Sequence, residues 1–245
     1  MRGVDGVILR TKGGAKARKI KTHPSFALTR CYNTEFGGAS QAASRLKNAC
    51  SQLTHLADYN ISPALLSVAK KIQQMDTTGE LGKRTVAISQ YKEMPEGFGF
   101  NRRTALDAVI RHQLDCTIQR ELLTATVQLP ALYPGTNFYI PGRYPLFRLI
   151  TVLSNVPDMV YTPAGYQPAT TQRFQQDAAT VYTDWYSTAA NCAGQIIRLQ
   201  LQHTLVLEDT ISLVVSVGIE FGMPAAGNEI KPIQYAGCAK ILALG

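Results

Sequence analysis

The most pronounced chemical pattern in the sequence is a run of cations. Arg10, Lys12, Lys16, Arg18, Lys19 and Lys21 fall within twelve residues that contain no acid. Cations at this density neutralise phosphates or lie against an acidic protein surface. If all six met phosphates, log K would fall with log salt at a slope near −5, from about 0.9 per contact. Gly13 and Gly14 break any regular element there, so residues 1–22 read as a solvated basic arm. Such an arm either neutralises a polyanion or reaches an adjacent subunit.

The remaining chemistry-bearing residues do not assemble into a catalytic signature. Gly79-Glu80-Leu81-Gly82-Lys83-Arg84 comes nearest to a phosphate cradle, whose glycines let backbone N–H groups close on phosphate oxygens. It lacks the first glycine of a P-loop and the Ser or Thr after the lysine. Gly97-Phe98-Gly99 lacks the third glycine of a dinucleotide fingerprint. No G-x-S-x-G elbow and no H-E-x-x-H zinc pattern occurs. The four histidines, His23, His55, His112 and His203, stand apart and read as ordinary surface or core residues. The five cysteines, Cys31, Cys50, Cys116, Cys192 and Cys238, are odd in number and form no C-x-x-C pair. That argues against a disulfide framework and a cysteine-rich zinc site, and leaves them as small buried hydrophobes. Glu208-Asp209 is the one adjacent acid pair, and it reads as a solvated turn. No catalytic, cofactor-binding or metal-ligating set emerges, and the chain does not read as an enzyme.

Composition narrows the class further. A chain of 245 residues that is 45% hydrophobic has enough apolar material for a real core. No apolar run approaches the roughly 20 residues that span a bilayer. Met1 to Gly14 lacks the apolar centre of a secretion signal, so the chain reads as soluble and unexported. The net charge of +8 is unevenly spread. Up to His112 there are 18 Lys and Arg against 8 Asp and Glu, a balance of +10; after it there are 7 against 9, a balance of −2. A basic first half joined to a nearly neutral second half suits nucleic acid, or head-to-tail docking of identical subunits.

The elements that must carry these residues follow from periodicity. Ile211, Leu213, Val215, Val217, Ile219 and Phe221 share one parity, and Ser212, Ser216, Gly218 and Glu220 the other, with Val214 the apolar exception. This is the pattern of a strand with one buried face. Leu199, Leu201 and Leu205 alternate with Arg198, Gln200, Gln202 and Thr204 in the same way. With Glu208, Asp209 and Thr210 as the turn, the two runs predict a long antiparallel hairpin, greasy on one side and polar on the other. Upstream, small and apolar residues from Ala39 to Ala57 recur at spacings of three and four and predict a helix over 37–58. Ser62-Pro63 opens a second helix with Leu65, Val68, Ala69, Ile72 and Met75 on its buried face. Together they form a helical hairpin within a mixed region, 23–115. Short strands are expected at 85–89, 118–129, 146–153, 181–186 and 236–244, and a loop at 161–176. Residues 116–245 therefore read as an antiparallel β-sandwich, and the whole chain as an α+β protein.

Several stretches resemble a family of uncharacterised proteins from Bacteroidetes. They are Lys12-Gly13-Gly14, Pro24 to Arg30, Asn33-Thr34-Glu35-Phe36-Gly37-Gly38-Ala39, Ala42-Ala43, Arg45-Leu46, Asp76 with Gly82-Lys83-Arg84, and Gly97-Phe98-Gly99-Phe100-Asn101. The resemblance covers about residues 10–105 and implies a bacterial source and a shared layout. It implies no activity, cofactor or catalytic residue. Glu35 reads as a favourable charge at a helix start.

The charge-poor second half, rich in Thr, Gln, Ser and Tyr, offers faces that bury without desolvating many ions. The sequence is thus read as a structural protein that assembles with copies of itself into a filament, tube or shell, the arm making subunit contacts. The alternative is a nucleic-acid-binding or packaging protein that uses the same arm.

Overall fold

Strands β3 (Leu146–Pro157) and β9 (Ile211–Pro224) form the spine of the computed structural model, which describes residues 14–171, 173–202 and 207–245. They run antiparallel in unbroken register, from Leu146 opposite Gly222 to Pro157 opposite Ile211. The outer edge of β9 is shared by β10 (Ile230–Pro232) and β11 (Cys238–Leu244). The outer edge of β3 carries β6 (Ala178–Tyr182) and β7 (Tyr186–Ser187). A second sheet has the order β1 (Asp115–Gln119), β2 (Thr124–Leu129), β8 (Gln195–Gln200). A small hairpin joins β4 (Met159–Thr162) to β5 (Gly165–Pro168). Helices α1 (Ala17–Thr22), α2 (Ala27–Ala49), α3 (Ser62–Met75) and α4 (Leu106–Val109) complete the fold, with a 3-10 turn at Ser51–Leu56.

The parity of β9 sorts its side chains between two cores. Leu213, Val215, Val217, Ile219 and Phe221 pack with Phe147, Leu149 and Leu153 against Ala125, Val127, Ile197 and Leu199 of the second sheet. That is a sandwich-like layer. The other parity is covered as well. Val214, Ile150, Val152 and Ile241 pack under Ala39, Ala42, Leu46, Leu53, Leu65 and Ile72 of the helical layer. The architecture is α+β, with the central sheet clasped between helices and a smaller antiparallel sheet.

This corrects the expected hairpin over 195–221. β8 does not pair with β9; it lies at the edge of the other sheet, against β2, with Thr124 opposite Gln200 and Leu129 opposite Gln195. The physical reason is burial. β9 is covered on both faces and takes a neighbour that is apolar on both faces, as β3 is through Leu149-Ile150-Thr151-Val152-Leu153. β8 is buried on one face only and suits an outer sheet. Leu205 and Thr204, part of the expected pattern, lie outside the described residues.

Other boundaries move for local reasons. α2 begins at Ala27, ten residues before the expected start, so Glu35 lies inside the helix. The single strand expected at 118–129 is the β1–β2 hairpin, and Leu123 takes a left-handed φ of 54° in its turn without any Gly or Pro to mark it. The loop expected at 161–176 includes the β4–β5 hairpin, whose Thr162 Oγ1 donates to the carbonyl of Gly165 at 2.7 Å. The strand expected at 85–89 reduces to a bridge between Val86 and Met159 followed by a 3-10 turn. Between 103 and 115 only α4 is helical. The helical hairpin itself forms as expected, with Pro63 in the first turn of α3. Ser62 does not cap it: the Asn60 side chain accepts from the Ser62 backbone N–H, and Ser62 Oγ accepts from Lys47 Nζ.

Candidate interaction surface and buried polar clusters

Arg10 and Lys12 lie outside the described residues. Lys16 precedes α1, and Arg18, Lys19 and Lys21 sit on it; all four are exposed, and α1 buries no residue. The arm folds back on the start of α2. The Arg30 guanidinium donates to the carbonyls of Ile20 and His23, each at 2.9 Å. No residue from 14 to 34 is buried; burial on α2 begins at Glu35. The first two turns of α2 thus stand clear of the core. An apolar stripe runs along them into the third turn: Leu28, Tyr32 and Phe36, spaced by four, are 54%, 54% and 51% exposed. Sequence reasoning passed over this stripe because the helix was expected to start at Gly37, although the spacing of four was there to be read.

The two stretches that drew attention as motifs turn out to be structural joints. Glu35 accepts from Arg84 Nε at 2.7 Å, from the Arg84 terminal nitrogen at 3.1 Å and from the Gly82 backbone N–H at 2.9 Å. The loop amide that a phosphate would need already holds a carboxylate. Next to it, burial works to raise the Asp76 carboxyl, but hydrogen bonds from Thr85 N, Gly79 N and both donors of Thr78 outweigh it and hold the group at about 2. Tyr166 donates to the Arg84 carbonyl at 2.7 Å, and its ring lies where a Cβ on Gly38 would come within 2.6 Å. Burial, then the charge of Glu35, pushes this phenol up to about 12.

Residues 97–101 run beside β11. Gly97 N donates to Ile241 O, Ile241 N to Phe98 O, and Phe100 N to Ala239 O, at 2.9 to 3.0 Å. Asn101 closes this run, donating to Leu56 O at 2.7 Å and Gly237 O at 3.2 Å and accepting from Ala239 N at 3.1 Å.

Among the described residues, the one charged side chain buried in the middle of the central sheet is Glu220, 3% exposed. His55 Nε2 lies 2.9 Å from its Oε1, and Arg148 Nε donates to its Oε2 at 2.7 Å. The Arg148 guanidinium stacks over Tyr182 and Trp185, 4.7 and 4.6 Å from their ring centres. Burial favours the neutral acid, but the hydrogen bonds of His55 and Arg148 prevail and hold Glu220 below the usual carboxylate range. His55 is half exposed and borders a cavity of about 340 Å3 with Thr54, Ile233 and Tyr235. Tyr235 also borders a second cavity of about 480 Å3, with Asp58, Asn101 and Arg103.

Burial pushes the thiols of Cys50 and Cys116 up to about 11 and that of Cys238 to about 12, so none is a thiolate at neutral pH. All five cysteines are free. No group of three His, Cys, Asp or Glu is placed to hold a metal ion among the described residues. His23 bonds Ser25, His112 bonds the Gln113 carbonyl, and His203 lies outside the described residues. Glu208 accepts from the backbone and hydroxyl of Thr171. Among the described residues no helix is long and apolar enough to cross a membrane. No protein-family model, curated protein or solved structure matches the chain.

Proposed function

We propose that this protein is a structural subunit that assembles with copies of itself through the arm and the clear end of α2. The observation that carries the reading is the exposed stripe of Leu28, Tyr32 and Phe36, which starts where α2 buries no residue and is flanked by exposed cations. Exposed apolar groups ringed by charge mark interaction surfaces. The surface on the next copy that fits is the corner formed by the β1–β2 turn and the stretch before β9. The Arg120 guanidinium ties these two together, donating to the carbonyls of Ile211, Gly245 and Glu208. That corner presents the exposed Glu121 and Asp209 together with Leu122, which is 61% exposed. A basic, apolar-striped arm and an acidic corner with an apolar centre are complementary and different, so the contact is head-to-tail and propagates into a ring or filament.

Electron microscopy of the purified protein, with and without nuclease, tests this. Regular polymers that survive nuclease and vanish in Leu28→Glu/Phe36→Glu support it. Dispersed particles under all conditions, or polymers unaffected by the double substitution, refute it. The exposed Lys16, Arg18, Lys19 and Lys21 favour a second reading, nucleic-acid packaging, in which nuclease disperses the particles.

A further inference from the structure

The registers of β1, β2 and β8 lay out the outer face of the smaller sheet as a grid. Asp115, Gln128 and Ile196 stand side by side in one row, and Thr117, Thr126 and Arg198 in the next. A third row, nearer the β1–β2 turn, holds only Thr and Gln. The alternate residues of these strands, Val127, Ile197 and Leu199 among them, belong to the core, so the grid faces away from it. Ile196 is 61% exposed, and Asp115 and Arg198 are exposed as well. Among the described residues no ion pair or hydrogen bond reaches either charged side chain. The other polar groups of the grid are hydroxyls and primary amides, each of which both donates and accepts. One free acid, one free cation and groups able to take either part make a surface that is complementary to itself.

We propose that this face docks on the same face of a second copy across a two-fold axis. Asp115 lies one row and two strands from Arg198, about 7 Å along the strands and about 10 Å across them. An axis in the interface, midway between them, sets Asp115 of each copy over Arg198 of the other. The same rotation brings the two Ile196 side chains together. Charge complementarity of this kind fixes register more than it adds affinity. The face covers three strands, about 10 Å by about 14 Å, well below a standard interface, so the dimer is weak. This contact is isologous and closes on itself. It goes beyond the head-to-tail arm contact and does not depend on it; where both form, polymers pair back to back.

Sedimentation equilibrium of the full chain carrying Leu28→Glu/Phe36→Glu, which removes the arm contact, tests this contact by itself. A monomer–dimer equilibrium with a dissociation constant on the order of 10–100 μM is expected. Asp115→Arg, and separately Arg198→Asp, set like charges face to face and weaken the dimer about tenfold or more. Mixing these two variants one to one, or joining both changes in one chain, restores it. Both positions are exposed, so the unfolding midpoints stay at that of the parent, and a misfolded variant would not recover on mixing. Monomer only at about 500 μM, a dimer indifferent to both reversals, or no recovery in the mixture would overturn the proposal. A dimer in this background, when the unsubstituted chain forms no polymers, sustains this contact and refutes the arm contact.

Discussion

At the scale of single residues, the largest consequences attach to Glu220. Truncating Arg148 leaves a buried carboxylate with His55 as its one remaining partner. Removal of one member of a buried pair costs about 3–5 kcal/mol, and Arg148→Ala is expected to lose that much in urea unfolding. The acid dependence has a definite sign. The folded-state pKa of Glu220 is depressed, so its contribution is in place above the ordinary carboxyl value, about 4.3, and drains away as pH falls through the folded value. Asp76 follows the same sign, from its ordinary 3.8 down to about 2. Asp76→Asn should therefore flatten the loss of stability between those two pH values, measured by thermal unfolding across an acid series. Tyr235 sits at a left-handed φ of 60° and is 76% exposed. Tyr235→Gly releases that strain and should raise stability by about 1 kcal/mol, an upper figure because glycine also loosens the unfolded chain.

At the scale of elements, close approach governs the joints. Gly237 faces the carbonyl of Ile219, where a Cβ would come within 2.4 Å of a backbone atom. Gly237→Ala must displace β11 from β9 and should lower stability by roughly 1–3 kcal/mol, the usual cost of overpacking, with a matching drop in the denaturation midpoint. Gly218 lets Leu53 and Leu56 descend onto the sheet. The alanines of α2, among them Ala39 and Ala42, do the same from the helical side. These small residues are why a strand face bearing Ser212, Ser216 and Gly218 lies under helices and not in water.

At the scale of the whole molecule, the assembly proposed above would take its direction from the asymmetry of charge. Lys19→Glu/Lys21→Glu is expected to abolish polymers, and an equimolar mixture with Glu121→Lys/Asp209→Lys to restore them, followed by light scattering. Failure of the mixture to recover would separate the arm from that corner. Salt should weaken the parental polymers, because exposed charges separated by water are screened within about 8–10 Å at physiological ionic strength.

Much of the local order was written in the sequence. The apolar parity of β9, the helical hairpin with Pro63 at the start of α3, β3 and β11 all follow from side-chain period and turn chemistry, because these act between near neighbours in the chain. Pairing did not follow. Whether β9 sits beside β8 or β3 depends on which faces are covered from a distance, and alternation in one strand is silent about what lies over its polar side. The same limit applies to the sites. The basic arm was legible as a run of like charges, whereas the His55–Glu220–Arg148 cluster joins residues up to 165 positions apart, and Tyr235 owes its place to a turn pinned by Asn101. Only the packing of helices on the sheet brings groups so far apart in the chain together, since contact between distant segments is set by the shared core and not by the chain's own period.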